Sequence, residues 1–246
     1  MRKGWFCIRF RPIKMLALTL ALGAGLLAIP MSRPPADQPA MAHAHPLPTI
    51  LVDAGHGGVD GGAVGADNIQ EKEINLQIAL KLRDLLRFCG FSTQMTRETD
   101  CSIHDEDAVS IRQQKESDLH NRLAMLEGME NGFLISIHQN KFELESCRGA
   151  QIFYGPLNEE SQAFGELLQM RMVADLDPAN NRKAKQCGSN VFLIYRAKQP
   201  AVLVECGFLS NREEAALLTT DEYQKKIAAS IVGSLYEYEG IQRGAN

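Results

Sequence analysis

Residues 200–211 read PAVLVECGFLSN, an apolar run that ends in Glu205 and a glycine turn. Short apolar runs rich in β-branched residues and bounded by Pro or Gly are typical of buried strands. An ionised carboxylate is costly to bury unless it is paired or bound to a cation. Glu205 is therefore either a satisfied structural acid, paired for example with Arg97, or part of a site at the end of a strand.

Two other apolar runs also end in polar residues. Residues 49–53 (TILVD) lead into a glycine loop that contains His56, and residues 133–137 (FLISI) lead into His138. In open α/β sheets, ligands bind in the crevice outside the carboxyl ends of the strands. The sequence therefore predicts that both histidines and Glu205 face one crevice.

A fourth candidate lies at the start of a predicted amphipathic helix. Glu71 opens a segment whose apolar residues recur at three- and four-residue steps, and acids in a first turn suit the helix dipole. With His56 and His138 it forms a His-Glu-His set, and a catalytic zinc takes three protein ligands and keeps one position open. Glu205 is then a spare carboxylate that could accept a proton. Glu73 competes with Glu71 as the ligand.

The glycine loop around His56 has two other interpretations. Its glycines suggest a dinucleotide loop, but Asp60 occupies the third glycine position and the helix starts too late. No Gly-Lys-Ser/Thr follows, which excludes a P-loop. A lone histidine beside a strand is more often a packed or exposed residue than a ligand, so the metal interpretation depends on the whole set.

The order of elements predicts a single α/β domain, with a mixed, mostly parallel twisted sheet flanked by helices. The predicted strands are residues 49–53, 92–96, 133–138, 150–154, 191–194 and 201–205. The predicted helices are residues 71–88, 117–130, 159–176, 211–218 and 221–239.

The N-terminus predicts export. Residues 1–30 combine basic residues with an apolar run from Met15 to Ile29, as in a signal peptide or a signal anchor. The run is short for a membrane-spanning helix, which needs about 20 residues. Residues 31–47 form a proline-rich linker that could serve as a membrane tether, and residues 48–240 form the predicted catalytic domain.

Charge and cysteine content exclude some classes. Residues 1–44 contain six basic residues and one acid, so their removal changes the formal charge from −4 to −9. An acidic domain is a poor binder of nucleic acid. The six cysteines show no Cys-x-x-Cys spacing, which argues against a thiolate zinc site, whereas Cys101, Cys147 and Cys187 could pair outside the membrane.

Five motifs occur in order along the chain: VDAGHGG at 52–58, EKEINL at 71–76, TRETD at 96–100, SIHQN at 136–140 and the segment around Glu205. Together they resemble the zinc-dependent N-acetylmuramoyl-L-alanine amidases of type 3. The resemblance implies that His56, Glu71 and His138 hold Zn²⁺ and that Glu205 is the catalytic acid/base. It also implies hydrolysis of the peptidoglycan amide between the muramic acid lactyl group and L-alanine.

Residues 117–122, 177–185 and 205–207 are similar to the germination-specific branch of that family. In that branch the enzyme strips peptides from spore-cortex muramic acid so that a deacetylase can form the δ-lactam. The resemblance thus implies an exported, extracytoplasmic enzyme that is either membrane-associated or in the spore intermembrane space, and an activator protein could assist it. A vegetative cell-separation amidase, another zinc-dependent wall hydrolase and a non-enzymatic wall-binding protein stay open as alternatives.

Overall fold

The computed structural model describes residues 47–65 and 68–244. The predicted leader, residues 1–30, and nearly all of the linker therefore lie outside the described residues. The strands are β1 (Thr49–Ala54), β2 (Thr93–Met95), β3 (Gly132–Asn140), β4 (Gln151–Tyr154), β5 (Lys185–Gln186) and β6 (Ala201–Phe208). The helices are α1 (Glu71–Phe88), α2 (Ile111–Glu127), α3 (Glu159–Leu176), α4 (Phe192–Arg196), α5 (Arg212–Leu218) and α6 (Asp221–Gly244).

The strands form one six-stranded sheet in the order β2-β1-β3-β6-β4-β5. Strands β2, β1, β3 and β6 are parallel, β4 is antiparallel to β6, and β5 is parallel to β4. This mixed, mostly parallel sheet confirms the predicted fold class. The parallel strands β1, β3 and β6 are adjacent, so their carboxyl ends lie side by side.

Two apolar cores cover the two faces of the sheet. Alternate residues of β1 belong to different cores. Ile50 and Val52 face the larger core, which β1 shares with α1, α3 and α6, and Leu51 faces the smaller core, which includes residues of α2 and α4. This division follows from the two-residue period of a strand. Full burial of such a side chain stabilises the fold by roughly 1.5–3 kcal/mol. The cores hold β1, β3 and β6 rigidly, which sets the positions of the residues at their ends.

The predicted strand at residues 191–194 is wrong, because this segment contains the start of α4. Its apolar residues Leu193 and Ile194 are adjacent and both are buried in the smaller core. The sheet edge beside β4 is taken by the short strand β5, which the sequence did not reveal. A short apolar run cannot distinguish strand from buried helix by periodicity, and here tertiary packing selects the helix.

Helix α2 begins at Ile111, six residues before its predicted start at 117, and ends three before its predicted end at 130. The start is set by a capping box in which the Ser110 side chain accepts a hydrogen bond from the Gln113 backbone N–H and Gln113 bonds back. Its first turn is exposed and polar, so hydrophobic periodicity missed it. Helix α6 likewise continues past its predicted end at 239 to Gly244.

No helix among the described residues is both long enough and apolar enough to cross a membrane. The five described cysteines are free thiols, so Cys101, Cys147 and Cys187, which the sequence left open to pairing, are unpaired in the described residues. Cys187 and Cys206 are buried in the cores.

Candidate metal centre

Three side chains meet at the carboxyl edge of the sheet. His56 follows β1, Glu71 is the first residue of α1, and His138 lies near the end of β3. One carboxylate oxygen of Glu71 lies 3.2 Å from His56 Nε2 and the other 2.9 Å from His138 Nδ1. One potential ligand atom from each residue lies within 4.8 Å of the others. The structure thus brings together the set that the sequence suggested, with Glu71 in it and Glu73 exposed on the helix surface.

Glycines make this close approach feasible. A Cβ at Gly55 would overlap the imidazole of His138. A Cβ at Gly62 would lie 2.6 Å from Glu71 Oε2 and 2.7 Å from His56 Cδ2, and Gly62 has a φ of +68° that favours glycine. The glycine-rich loop therefore serves close packing against three side chains.

Several groups orient the ligand candidates. Glu71 accepts hydrogen bonds from the backbone N–H of Ala63 at 2.8 Å and of Gln139 at 3.0 Å. His56 Nδ1 donates to Asp60 Oδ2 at 2.9 Å, which leaves Nε2 toward the centre. A carboxylate behind a histidine ligand is the usual way to fix its ring and tautomer. In the sequence, Asp60 served only to reject a dinucleotide loop. Its position four residues after His56 could have indicated that it supports this histidine.

The histidines and Glu71 are electrostatically coupled. Burial disfavours the charge of Glu71, but the hydrogen bonds from His138 and His56 outweigh it and hold the pKa of Glu71 well below its usual range. Burial lowers the pKa of His56, and the hydrogen bonds to Asp60 and Glu71 outweigh this and raise the pKa to about 9. A centre of such concentrated negative charge favours a cation.

Glu205 stands beside this set without a partner. It lies in β6 directly opposite His138 in the parallel register. Its Oε2 is buried, and among the described residues no group donates a hydrogen bond to it. Burial raises the pKa of Glu205 to about 7. Arg97 does not pair with it, since that guanidinium donates to backbone carbonyls such as those of Ala54 and Gly55.

A cleft of about 320 Å³ opens beside His56 and His138. Apolar residues of α4 and α2, among them Phe192 and Leu119, form one side of it. Lys115, on α2, reaches the centre and its Nζ lies 2.8 Å from Asp60 Oδ1. The cleft gives an extended substrate access to His56 and His138, two of the three candidate ligands.

The residues present fit a catalytic zinc. Two histidines and one glutamate form a three-ligand set that leaves a position open. Asp60 provides the supporting carboxylate, and the unpartnered Oε2 of Glu205 supplies a nearby proton acceptor. The arrangement is suited to hydrolysis with an activated water.

Comparison with known proteins identifies the family. Residues 50–237 match the family model described as N-acetylmuramoyl-L-alanine amidase. The chain belongs to this amidase family. A germination-specific N-acetylmuramoyl-L-alanine amidase of Bacillus subtilis is 37% identical over 194 residues, which cover 79% of this chain and 78% of the relative.

Solved amidase structures share the fold. The CwlD amidase of Clostridioides difficile, solved in complex with the GerS lipoprotein, matches with a TM-score of 0.76 and 38% identity over 79% of this chain and 99% of that one. The catalytic domain of the CwlV amidase from Bacillus (Paenibacillus) polymyxa matches with a TM-score of 0.63 and 27% identity over 78% of this chain and 97% of that one. The chain is therefore an N-acetylmuramoyl-L-alanine amidase with the fold of its relatives.

Proposed function

We propose that this amidase uses Zn²⁺ held by His56, Glu71 and His138 to hydrolyse the amide between the muramic acid lactyl group and L-alanine in spore-cortex peptidoglycan. The observation that carries the chemistry is the convergence of these three side chains beside the unpartnered carboxylate of Glu205. When bound, zinc supplies a Lewis acid and lowers the pKa of a water molecule.

Glu205 performs the proton transfers in this proposal. Its Oε2 accepts the proton of the attacking water and later returns it to the nitrogen of the departing L-alanine. Burial, which raises the pKa of Glu205 to about 7, suits it to both steps near neutral pH. Asp60 holds the ring of His56, and backbone N–H groups hold Glu71, so the ligand set needs little rearrangement.

Metal content tests the ligand assignment. His56→Ala and His138→Ala should each lose zinc and activity together, measured by elemental analysis and turnover of purified peptidoglycan. His120→Ala is the control for zinc content, since His120 is exposed and lies outside the ligand set, although its ring contacts Phe192 at 4.8 Å between centroids. Full zinc occupancy in both single variants would refute the assignment.

Glu205→Gln tests the proton-transfer role. The variant should keep its zinc and its fold while its rate falls by about 10²–10⁴-fold, the usual value of a positioned acid/base. Glu213→Gln, at an exposed position in α5, is the control. Near-normal turnover would exclude the role, and loss of zinc would indicate that Glu205 is a ligand.

Product analysis tests the reaction. Mass spectrometry of peptidoglycan after incubation with the zinc-loaded protein should show stem peptides with a free L-alanine amine. Cleavage within the peptide, or loss of acetyl groups alone, would indicate another zinc-dependent wall hydrolase. No turnover of zinc-loaded protein would favour a wall-binding role.

The cortex assignment is supported by the germination-specific relative from B. subtilis. We infer that the enzyme acts outside the cytoplasmic membrane, in the spore intermembrane space, before a muramic acid deacetylase that completes the δ-lactam. Spores of a deletion strain should lack muramic δ-lactam, while vegetative division is unchanged. Normal δ-lactam together with unseparated daughter cells would indicate a vegetative division amidase.

An accessory protein is part of the proposal, because the similar CwlD amidase was solved in complex with a lipoprotein. Affinity purification of the tagged enzyme from sporulating cells should recover a membrane-anchored partner. Recovery of the enzyme alone, at full activity, would argue that it needs no activator.

A further inference from the structure

Arg182 lies on the same edge of the sheet as the metal centre. Strand β4 runs antiparallel to β6, so that its first residue, Gln151, lies opposite Glu205. Arg182 precedes β5, the next strand, and its Nη1 donates to Gln151 Oε1 at 3.2 Å. With strands about 4.8 Å apart, the backbone of Arg182 is about 10 Å from that of Glu205.

The guanidinium of Arg182 is held in place without an acidic partner. It stacks 4.5 Å from the ring centroid of Phe208, and its Nε donates to the carbonyl of Arg148 at 2.9 Å. No carboxylate among the described residues forms an ion pair with it. Two other cations at this edge have acid partners, since Arg148 pairs with Asp177 at 3.1 Å and Lys115 with Asp60 at 2.8 Å, whereas Lys141 donates to the carbonyl of Val64.

A small cavity of about 160 Å³ opens at this guanidinium. Phe142 and Phe208 form apolar walls, and Asn140 and Cys147 complete the lining. Asn140 lies two residues beyond His138 and pairs with Phe208 in the strand register, so the cavity lies at the same strand ends as the metal centre. A preoriented arginine in an aromatic recess is suited to bind a carboxylate through paired hydrogen bonds.

We propose that Arg182 binds a free α-carboxylate on the stem-peptide residue that follows L-alanine. This inference rests on the proposed function, because it places the lactyl–alanine amide at the metal centre. The chain advances at most about 3.5 Å per residue, so a carboxylate one residue beyond L-alanine lies about 7 Å from the scissile bond. A long arginine side chain that starts about 10 Å from Glu205 can reach that point. Arg182 would thus make the enzyme prefer stem peptides whose residue after L-alanine carries a free carboxylate over those in which this group is a carboxamide.

Two matched substrates test the proposal. Muramoyl peptides of equal length carry either a free α-carboxylate or a carboxamide on the residue after L-alanine. The zinc-loaded full chain should favour the acid in kcat/KM by about 10–100-fold, the range expected for a charge-assisted hydrogen-bonded pair. Arg182→Gln should bring the ratio close to one, mainly through KM, and Arg182→Lys should retain part of it.

Arg148→Gln is the matched control, since it removes a nearby arginine that already has an acid partner, and it should retain the wild-type ratio. Zinc content and melting temperature verify that each variant is folded. Independently, calorimetry should show that the released acidic peptide binds the wild type more tightly than its carboxamide does, and that Arg182→Gln removes this difference.

Equal kcat/KM of the wild type for the two substrates would overturn the inference and leave the amidase assignment intact. Loss of discrimination in Lys115→Gln but not in Arg182→Gln would also overturn it, because the carboxylate would then bind in the larger cleft. If the zinc-loaded wild type cleaved neither substrate, the proposed function would fail, and the inference with it.

Discussion

At the residue scale, Gly55 shows how a missing side chain builds the site. Its Cα lies so close to the His138 imidazole that any Cβ would overlap the ring. Gly55→Ala should therefore displace His138 without removing any ligand. Displacements of about 1 Å can cost about 10²-fold in rate. Gly240→Ala is the control, because nothing lies within 4 Å of a Cβ there. Unchanged zinc content and turnover in Gly55→Ala would contradict this account.

Asp60 is a second test at this scale. Because it fixes His56 through a 2.9 Å hydrogen bond, Asp60→Ala should weaken zinc binding by about 10–100-fold, measured by competition with a chelator. Asp84→Ala, at an exposed site on α1, should leave the affinity unchanged. Wild-type affinity in Asp60→Ala would show that His56 is oriented by its backbone alone.

At the element scale, Arg122 joins α2 to the end of β1. Its side chain is 2% exposed and its Nη1 lies 2.6 Å from Asp53 Oδ1. Its other donors reach Asp118 and the carbonyl of His56. Arg122→Met should lower the free energy of unfolding by about 3–5 kcal/mol, because it leaves a buried carboxylate unpaired. Urea unfolding measures this, with exposed Arg112→Met on the same helix as the control. If the free energy of unfolding fell by less than about 1 kcal/mol, the Arg122–Asp53 pair would contribute no more than an exposed ion pair does.

The same link predicts a pH dependence. Burial is the largest influence on Asp53 and favours its neutral form, but Arg122, His138 and the hydrogen bonds from Ser136 and Thr96 together lower the pKa below the ordinary value of 3.8. A lowered pKa contributes stability that is present above the ordinary value and is lost as the pH falls through the folded-state value. Asp53→Asn should therefore be less stable than the wild type at pH 7, and the difference should shrink on acidification below 3.8. A difference in unfolding free energy that is constant with pH would contradict this.

At the scale of the whole molecule, we predict that residues 1–44 direct export and that the catalytic fold does not require them. Among the described residues, both apolar cores are formed between Leu47 and Tyr238. Removal of residues 1–44 should therefore leave zinc binding and turnover in solution unchanged, while the full chain should be recovered outside the cytoplasmic membrane. Cell fractionation with protease protection measures this. Recovery of the intact full-length chain in the cytoplasm would exclude export.

The sequence by itself determined the features that depend on local periodicity and on strand ends. Residues close together in the chain are enough to predict the apolar stripe of α1. They are also enough to predict the apolar runs of β1, β3 and β6 and the polar residues that follow these runs. Because parallel strands align their carboxyl ends, this was enough to place His56, His138 and Glu205 at one edge. The resemblance to the amidases supplied the roles.

Only the tertiary structure decided the features that depend on long-range contacts. The resemblance already favoured Glu71 over Glu73, but the physical reason is tertiary, because backbone N–H groups from the glycine loop and β3 converge on Glu71. Residues 192–196 form a helix, from which Leu193 and Ile194 pack into the smaller core. Arg182 contacts Phe208 and Gln151, which lie 26 or more residues away in the sequence. Such contacts leave no periodic trace in the sequence, since they arise only when separate elements pack against each other.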